Sequence, residues 1–188
     1  MTVVPDGVAV PPSVPGVPAE PAPPAVGEPA PDFTLEDQYG RPVTLSALRG
    51  QPVLLIFFPH AFSPICSSEF DELTEQEEVG ALRGVTVLAV SCDPAEALRE
   101  FADEGSVPAS CRFASDFWPH GEVSRRYGVF FAPRGFPLRA SFLLDADGVV
   151  RWSVVNGPGE ARDTRTYVTA LRALGVPPRA PRRADPLP

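Results

Sequence analysis

Cys66 is the residue with the clearest chemical potential, because it stands where a buried strand gives way to a helix. The preceding run, Val53 to Phe58, is continuously apolar, as in a central strand covered on both faces. A helix that starts near Cys66 offers unpaired N–H donors and about half a unit of positive charge, which favour thiolate over thiol. Ser63 can place its hydroxyl beside the sulfur. Free cysteines are usually buried small hydrophobes, so the prediction of a nucleophile depends on this surrounding sequence.

Strand and helix patterns alternate around this cysteine. Strands are predicted at Asp32–Glu36, Val43–Leu45, Val53–Phe58, Val85–Val90, Ser141–Asp145 and Val149–Val154, the last two as an antiparallel hairpin. Helices are predicted from Cys66, after a cap at Asp93, from Gly121 to Tyr127, and from about Glu160 to Leu174. This alternation predicts an α/β protein with a central mixed sheet flanked by helices, as in a thioredoxin-like fold.

Proline-rich segments flank the predicted domain. Residues 1–27 are rich in proline, alanine and valine, and we expect a disordered tail there because proline removes backbone donors. Residues 28–175 form the predicted domain, and the Pro- and Arg-rich residues 176–188 form a second tail. A docking role for the first tail is the less favoured interpretation.

Composition excludes several classes of function. The net charge of −8 argues against a nucleic-acid or anionic-membrane partner, and all 16 basic residues are arginine. Three cysteines do not make a disulfide framework, and no secretory signal is visible, so a reducing cytoplasmic setting is expected. His60 and His120 lack metal-ligand spacing, and neither a metal nor another cofactor is predicted.

The order Pro59-x-x-x-Ser63-x-x-Cys66 resembles the peroxidatic motif of the peroxiredoxin family, and Glu69 fits its Cys-x-x-Glu continuation. Other segments extend the resemblance over roughly residues 27 to 174. These are Gly27–Leu35, Val43–Gly50, Ser115–Gly121 and Tyr127–Val129, of which the last two are especially similar to AhpE-like one-cysteine peroxiredoxins.

The resemblance implies a thiol-dependent peroxidase that reduces hydrogen peroxide and organic hydroperoxides. The family uses an arginine from a later strand, for which Arg139 is the first choice and Arg134 the fallback. Cys66 would attack the peroxide and become a sulfenate, while Pro59 shields the site. Ser63, Arg139 and the Cys66 backbone N–H would stabilise the developing charge.

The resemblance leaves the recycling step open. Asp71 and Ala102 occupy two positions at which relatives carry a resolving cysteine. Cys92 and Cys111 are therefore candidates for resolving residues, although each also fits a thiol without a role. The primary interpretation is a one-cysteine enzyme reduced by an external thiol or a thioredoxin- or glutaredoxin-like protein, and it is expected to form a homodimer or a higher homo-oligomer.

Two other functions share this fold. A thiol–disulfide oxidoreductase would normally show Cys-x-x-Cys at the helix start, whereas residues 62–66 hold one thiol. A non-catalytic binding or chaperone module could use the proline-rich tail for docking, but the presence of Ser63, Cys66 and Arg139 argues against an inactive site. Peroxide reactivity and insulin disulfide reduction distinguish the three functions.

Overall fold

A seven-stranded sheet forms the centre of the protein, of which a computed structural model describes residues 21–105 and 107–175. The strands are β1 (Thr34–Asp37), β2 (Pro42–Thr44), β3 (Val53–Phe57), β4 (Thr86–Ser91), β5 (Cys111–Ser115), β6 (Phe130–Phe131), β7 (Phe136–Pro137), β8 (Arg139–Leu144) and β9 (Val150–Asn156). The helices are α1 (Pro64–Glu78), α2 (Ala95–Glu104), α3 (Glu122–Arg126) and α4 (Arg165–Ala173), with a 3-10 helix at Leu45–Leu48. The order across the sheet is β2-β1-β5-β4-β3-β8-β9, and β6 pairs with β7 in a separate hairpin.

The sheet mixes parallel and antiparallel pairs. Strand β4 runs parallel to both β3 and β5, whereas β8 lies antiparallel to both β3 and β9. All five residues of β3 are buried, which explains its continuous apolar sequence. The predicted mixed sheet and the β8–β9 hairpin are therefore confirmed.

Successive residues of β3 supply the cores on opposite faces of the sheet. Leu54 and Ile56 pack on the face covered by α1, α2 and α4, and Cys66 belongs to this core. Val53, Leu55 and Phe57 pack on the other face, which α3 covers. Cys66, the candidate reactive cysteine, thus packs on the first of these faces, at the end of the sheet where β3 leads into α1.

Two predicted helix starts are wrong. Asp93 does not cap α2; its carboxylate instead accepts hydrogen bonds from the Ala61 N–H and the Ser91 hydroxyl. Helix α4 begins at Arg165 rather than near Glu160, and residues 157–164 form a loop. Strand β5 and the β6–β7 hairpin were not predicted, and neither has a sequence pattern as strong as that of β3.

Residues 21–27, which the sequence assigned to the first tail, contact the domain. Pro24 is buried, Val26 packs against the core on the α3 side, and the Gly27 N–H donates to the Val150 carbonyl at 2.8 Å. The other residues of both predicted tails, 1–20 and 176–188, lie outside the described residues. In the described ranges, no helix is both long and apolar enough to cross a membrane.

Candidate active site

Cys66 lies in the first turn of α1, where its thiol is fully buried. Ser63 is the N-cap in extended backbone conformation, and its hydroxyl oxygen accepts from the Cys66 N–H at 3.3 Å. Pro64 occupies the first turn, which suits a residue without an N–H because that donor would have no partner inside the helix. The predicted helix start at the cysteine is therefore present, with the hydroxyl of Ser63 beside it.

Arg139 reaches the sulfur from β8. The pairing of Phe57 with Ala140 brings the start of β8 level with the end of β3, where the chain turns toward Cys66. Arg139 Nη1 donates to Cys66 Sγ at 3.2 Å, and its Nε donates to the Pro158 carbonyl at 2.8 Å. The fallback candidate, Arg134, lies exposed in the turn between β6 and β7. Of the two arginines, the structure brings Arg139 to the thiol.

Glu69 joins the same cluster from the next turn of α1. Its Oε2 accepts from Arg139 Nη1 at 2.9 Å, and the carboxyl group is 3% exposed. Burial alone would raise the pKa of Glu69, but the adjacent Arg162 and Arg139 guanidinium groups lower it below its usual value. Glu69 is therefore a carboxylate that holds Arg139 beside the sulfur.

Arg162 is a site residue that sequence reasoning missed. Its Nη2 donates to Glu69 Oε2 at 2.6 Å, and its backbone N–H donates to Glu69 Oε1 at 2.7 Å. Its Nη1 donates to the carbonyls of Phe57 at 2.9 Å and Ala140 at 3.0 Å, and to the Ser141 hydroxyl at 3.1 Å. One guanidinium group therefore connects α1, the end of β3 and the start of β8, which are the elements that carry the site.

A sequence signal for Arg162 was available but was not used. The prediction placed this residue inside a helix that started near Glu160. Asp163 and Thr164 are residue types that precede helices, and they stand just before the apolar pattern of α4. A helix start at 165 leaves Arg162 in the preceding loop, where its side chain is free to turn inward.

The site is a buried cluster of charges with one surplus positive charge. Cys66, Glu69, Arg139 and Arg162 are each between 0% and 4% exposed. Two guanidinium groups face one carboxylate, so the cluster becomes neutral when the sulfur carries a negative charge. Buried ions are costly unless they are paired. The arrangement thus has the charge complement of a thiolate site.

The residues before Ser63 form a loop over the cluster. Pro59 is buried, and the Phe58 N–H before it still bonds to the Val90 carbonyl at 3.0 Å. Phe62 and Pro64, which flank Ser63, are exposed. The Cys66 N–H, predicted to bind substrate, donates to Ser63 in the structure. Its role toward a substrate stays a prediction, as do those of Pro59, Ser63 and Arg139.

Cys92 and Cys111 lie away from Cys66. Cys92 follows β4 and interacts with Ser124 of α3, on the sheet face opposite α1. Burial, together with the Asp116 and Asp93 carboxylates, raises the pKa of the Cys92 thiol to about 12. Cys111 starts β5 at the opposite end of the sheet from α1, and burial and the Glu77 carboxylate raise its pKa. Both thiols are therefore weak nucleophiles near neutral pH.

The charged side chains around Cys66 suit an anion rather than a cation. Within residues 21–105 and 107–175, no three His, Cys, Asp or Glu side chains converge on a point that could hold an ion. The polar groups around Cys66 are mainly hydrogen-bond donors from arginine, which repel a cation and suit an anion.

A buried thiol that faces an arginine at a helix start, on a thioredoxin-like sheet, is the arrangement expected of a thiol-based redox enzyme. The sequence profile of the AhpC/TSA family matches residues 26–153. The chain is 41% identical over 150 residues to alkyl hydroperoxide reductase E of Mycobacterium bovis, across 79% of this chain and 97% of that protein. It is 30% identical over 153 residues to peroxiredoxin 2 of Thermoplasma acidophilum, across 79% and 75% of the two chains.

Solved structures agree with these sequence matches. Peroxidoxin BcpB from Mycobacterium tuberculosis superposes with a TM-score of 0.69 at 27% identity, covering 80% of this chain and 98% of that chain. The chain therefore belongs to the AhpC/TSA family. It is a peroxiredoxin, and the predicted fold and the predicted class of thiol-dependent peroxidase are confirmed. These matches favour this class over the oxidoreductase and binding-module alternatives.

Proposed function

We propose that Cys66 is the peroxidatic cysteine and that it reduces hydrogen peroxide and organic hydroperoxides. The observation that carries this proposal is the 3.2 Å hydrogen bond from Arg139 Nη1 to Cys66 Sγ in a fully buried setting. A guanidinium group holds an anion with donors that remain charged at any physiological pH. The same group can turn a donor toward the oxygen pair of a peroxide.

The surplus positive charge supports a reactive sulfur anion. With a neutral thiol, the cluster of Glu69, Arg139 and Arg162 keeps an unpaired buried cation, whereas the thiolate removes it. The first turn of α1 adds the positive end of the helix dipole. Both contributions favour the nucleophilic form of Cys66 over the thiol.

The reaction itself is a two-electron transfer. The Cys66 thiolate attacks the terminal peroxide oxygen, a sulfur–oxygen bond forms, and the oxygen–oxygen bond breaks. The sulfur is oxidised to a sulfenate, and the leaving oxygen takes up a proton to become water or an alcohol. Arg139 and the Ser63 hydroxyl stabilise the negative charge on the leaving oxygen, and Pro59 limits the access of bulk water.

The positions of the other cysteines support recycling by an external thiol or a redoxin. A disulfide requires Cα atoms within about 7 Å of each other. Strand β5 rises ~3.3 Å per residue from Cys111 to Ser115, so Cys111 is separated by ~13 Å from the end of the sheet where α1 begins. Cys92 interacts with Ser124 of α3, the helix that covers the sheet face opposite the one where Cys66 packs. An external thiol would instead condense with the sulfenate and release water, and a second thiol would restore Cys66.

Self-association and a cytoplasmic location complete the proposal. Trp118 is 81% exposed, and the adjacent Phe117 is 50% exposed. Two neighbouring exposed aromatic rings support a contact between copies of the chain. A reducing cytoplasm would keep Cys92 and Cys111 as the thiols that the structure contains.

Stopped-flow kinetics test the proposed function. Reduced protein is mixed with one equivalent of hydrogen peroxide or an organic hydroperoxide, and Cys66 oxidation is followed with mass spectrometry of the product. We expect rapid formation of one sulfenate, and none in Cys66→Ser. The double variant Cys92→Ser/Cys111→Ser is the matched control and should retain turnover with an external thiol.

Wild-type oxidation at the rate of free cysteine would refute the peroxidase. Loss of turnover in the double variant would refute one-cysteine recycling.

A further inference from the structure

Asp93 has the sequence position of a helix cap but contacts a different part of the molecule. It precedes Pro94 at the start of α2, yet α2 has no side-chain cap. We propose that Asp93 is a positioning residue for the loop Pro59–Ser63, here called the peroxidatic loop, and thereby for the reaction of Cys66 with peroxide. This inference rests on the proposed function and deepens it.

The Asp93 carboxylate meets the middle of the peroxidatic loop. Its Oδ2 accepts from the Ala61 N–H at 2.8 Å. Its Oδ1 lies 4.0 Å from His60 Nδ1 on the preceding residue. The loop is otherwise exposed at His60 and Phe62, so this bond ties its backbone to the end of the central sheet.

Asp93 is itself held in place by the neighbouring strands. The Ser91 hydroxyl donates to Asp93 Oδ2 at 2.8 Å and accepts from the Asp93 N–H at 3.2 Å. The Ser115 hydroxyl donates to the Asp93 carbonyl at 2.7 Å. The acceptor for Ala61 is therefore preorganised at the ends of β4 and β5, and does not depend on the loop for its position.

The peroxidatic loop needs such an anchor because its backbone is strained at Phe62. Phe62 has a φ of 60°, a left-handed conformation that residues with a side chain rarely adopt. Its ring packs edge-on against Phe101 of α2 at 5.3 Å between centroids. The strained residue is thus fixed by its own ring, by the Asp93 bond at Ala61 before it, and by the helix cap at Ser63 after it.

The contacts of Asp93 are separate from those that set the charge of the sulfur. Arg139 and Glu69 approach Cys66 from β8 and α1, and neither contacts the peroxidatic loop through a hydrogen bond in the described residues. Loss of Asp93 should therefore misplace Pro59 and Ser63 while the sulfur keeps its ionic partners. The rate of oxidation by peroxide should fall more than the rate of alkylation, because alkylation uses neither the Ser63 hydroxyl nor an oriented peroxide.

The test compares these two rates in three variants. We expect Asp93→Ala to lower the second-order rate constant for hydrogen peroxide roughly 10- to 100-fold, the effect of losing a hydrogen bond to a charged group. Its rate of alkylation by iodoacetamide should stay within about twofold of wild type. Asp93→Asn should recover most of the peroxide rate, because its amide oxygen can still accept from Ala61. Glu96→Ala, an exposed acid in the first turn of α2, is the matched control and should leave both rates unchanged.

Several outcomes would overturn the inference. These are a wild-type peroxide rate in Asp93→Ala, an equal fall of both rates, or a failure of Asp93→Asn to recover. If Asp93→Ala does not fold, Ser91→Ala removes the donor that orients the carboxylate, and it should show the same separation of rates in smaller degree. Slow oxidation of the wild-type protein itself would instead refute the proposed function, so the two failures are distinguishable.

Discussion

Replacing Arg162 by methionine removes its guanidinium group and keeps an unbranched side chain. Arg139 would still contact both Cys66 and Glu69, but the buried cluster would lose its surplus positive charge. The cluster would then stabilise negative charge on the attacking sulfur less well. We therefore expect Arg162→Met to slow the oxidation of Cys66 by peroxide, although Arg162 makes no hydrogen bond to the sulfur.

The expected magnitude follows from the position of Arg162 behind Glu69. A unit charge at 4 Å contributes ~4 kcal/mol at an effective dielectric constant of about 20, and one further away contributes less in proportion to distance. Arg162 lies one carboxylate beyond Arg139, so its contribution is about 2 kcal/mol. This corresponds to a fall of about 30-fold in the second-order rate constant for oxidation by hydrogen peroxide. Breaking the buried pair should also cost about 3–5 kcal/mol in the free energy of unfolding.

Stopped-flow oxidation by hydrogen peroxide measures the first quantity, and urea denaturation measures the second. The double variant Glu69→Gln/Arg162→Met is the informative partner, because it removes one charge of each sign and restores the surplus beside Arg139. It should regain much of the rate that the single variant loses. An unchanged rate constant in Arg162→Met, or no recovery in the double variant, would refute the charge-balance reasoning.

Three further measurements test other parts of the site. Arg139→Lys should lower the rate constant for peroxide by at least about tenfold in the stopped-flow assay. A single ammonium group cannot donate to the sulfur, Glu69 and Pro158 from the positions of the guanidinium nitrogens. Arg134→Met is the control and should have no effect in the same assay. The pKa of Glu69 is lowered on folding, so its stabilisation is complete above its unfolded pKa of about 4.3 and is lost as the pH falls through its folded pKa. Unfolding free energies measured at acidic pH should therefore fall more steeply in wild type than in Glu69→Gln, and parallel curves would contradict this. The pKa of Cys92 is raised to about 12, so its contribution is complete below about 8.5 and is lost as the pH rises toward 12. Cys92→Ala should flatten the alkaline part of the same profile, and an unchanged slope would count against it.

The start of α1 could be predicted from sequence because its signals are local. The apolar run of β3, Ser63 as a cap, Pro64 in the first turn and Cys66 follow one another within a few residues. The strength of a helix start as an anion site depends on its own backbone, so no distant contact was required to infer a reactive sulfur. The same locality explains the correct prediction of the β8–β9 hairpin from its turn.

The partners of the sulfur were harder to predict because they come from distant parts of the chain. Arg139 is 73 residues from Cys66, and Arg162 is 93 residues from Glu69. Arg139 was selected by resemblance, whereas Arg162 lies beyond residues 26–153, the part matched by the family profile. Asp93 shows the related difficulty that a residue suited to capping can be recruited by a tertiary contact instead. Spacing along the chain does not show whether such a residue caps its own helix or contacts a distant segment.

The loop that carries Arg162 links reactivity to the completeness of folding. Arg162 follows the last strand of the sheet, so its guanidinium group can reach Glu69 only after the sheet has formed and α1 has packed against it. Before that, a growing chain holds Cys66 as an ordinary thiol without its second cation. The enzyme would therefore acquire its sensitivity to oxidants at the end of assembly, which protects partly folded chains from oxidation at the residue they will later use.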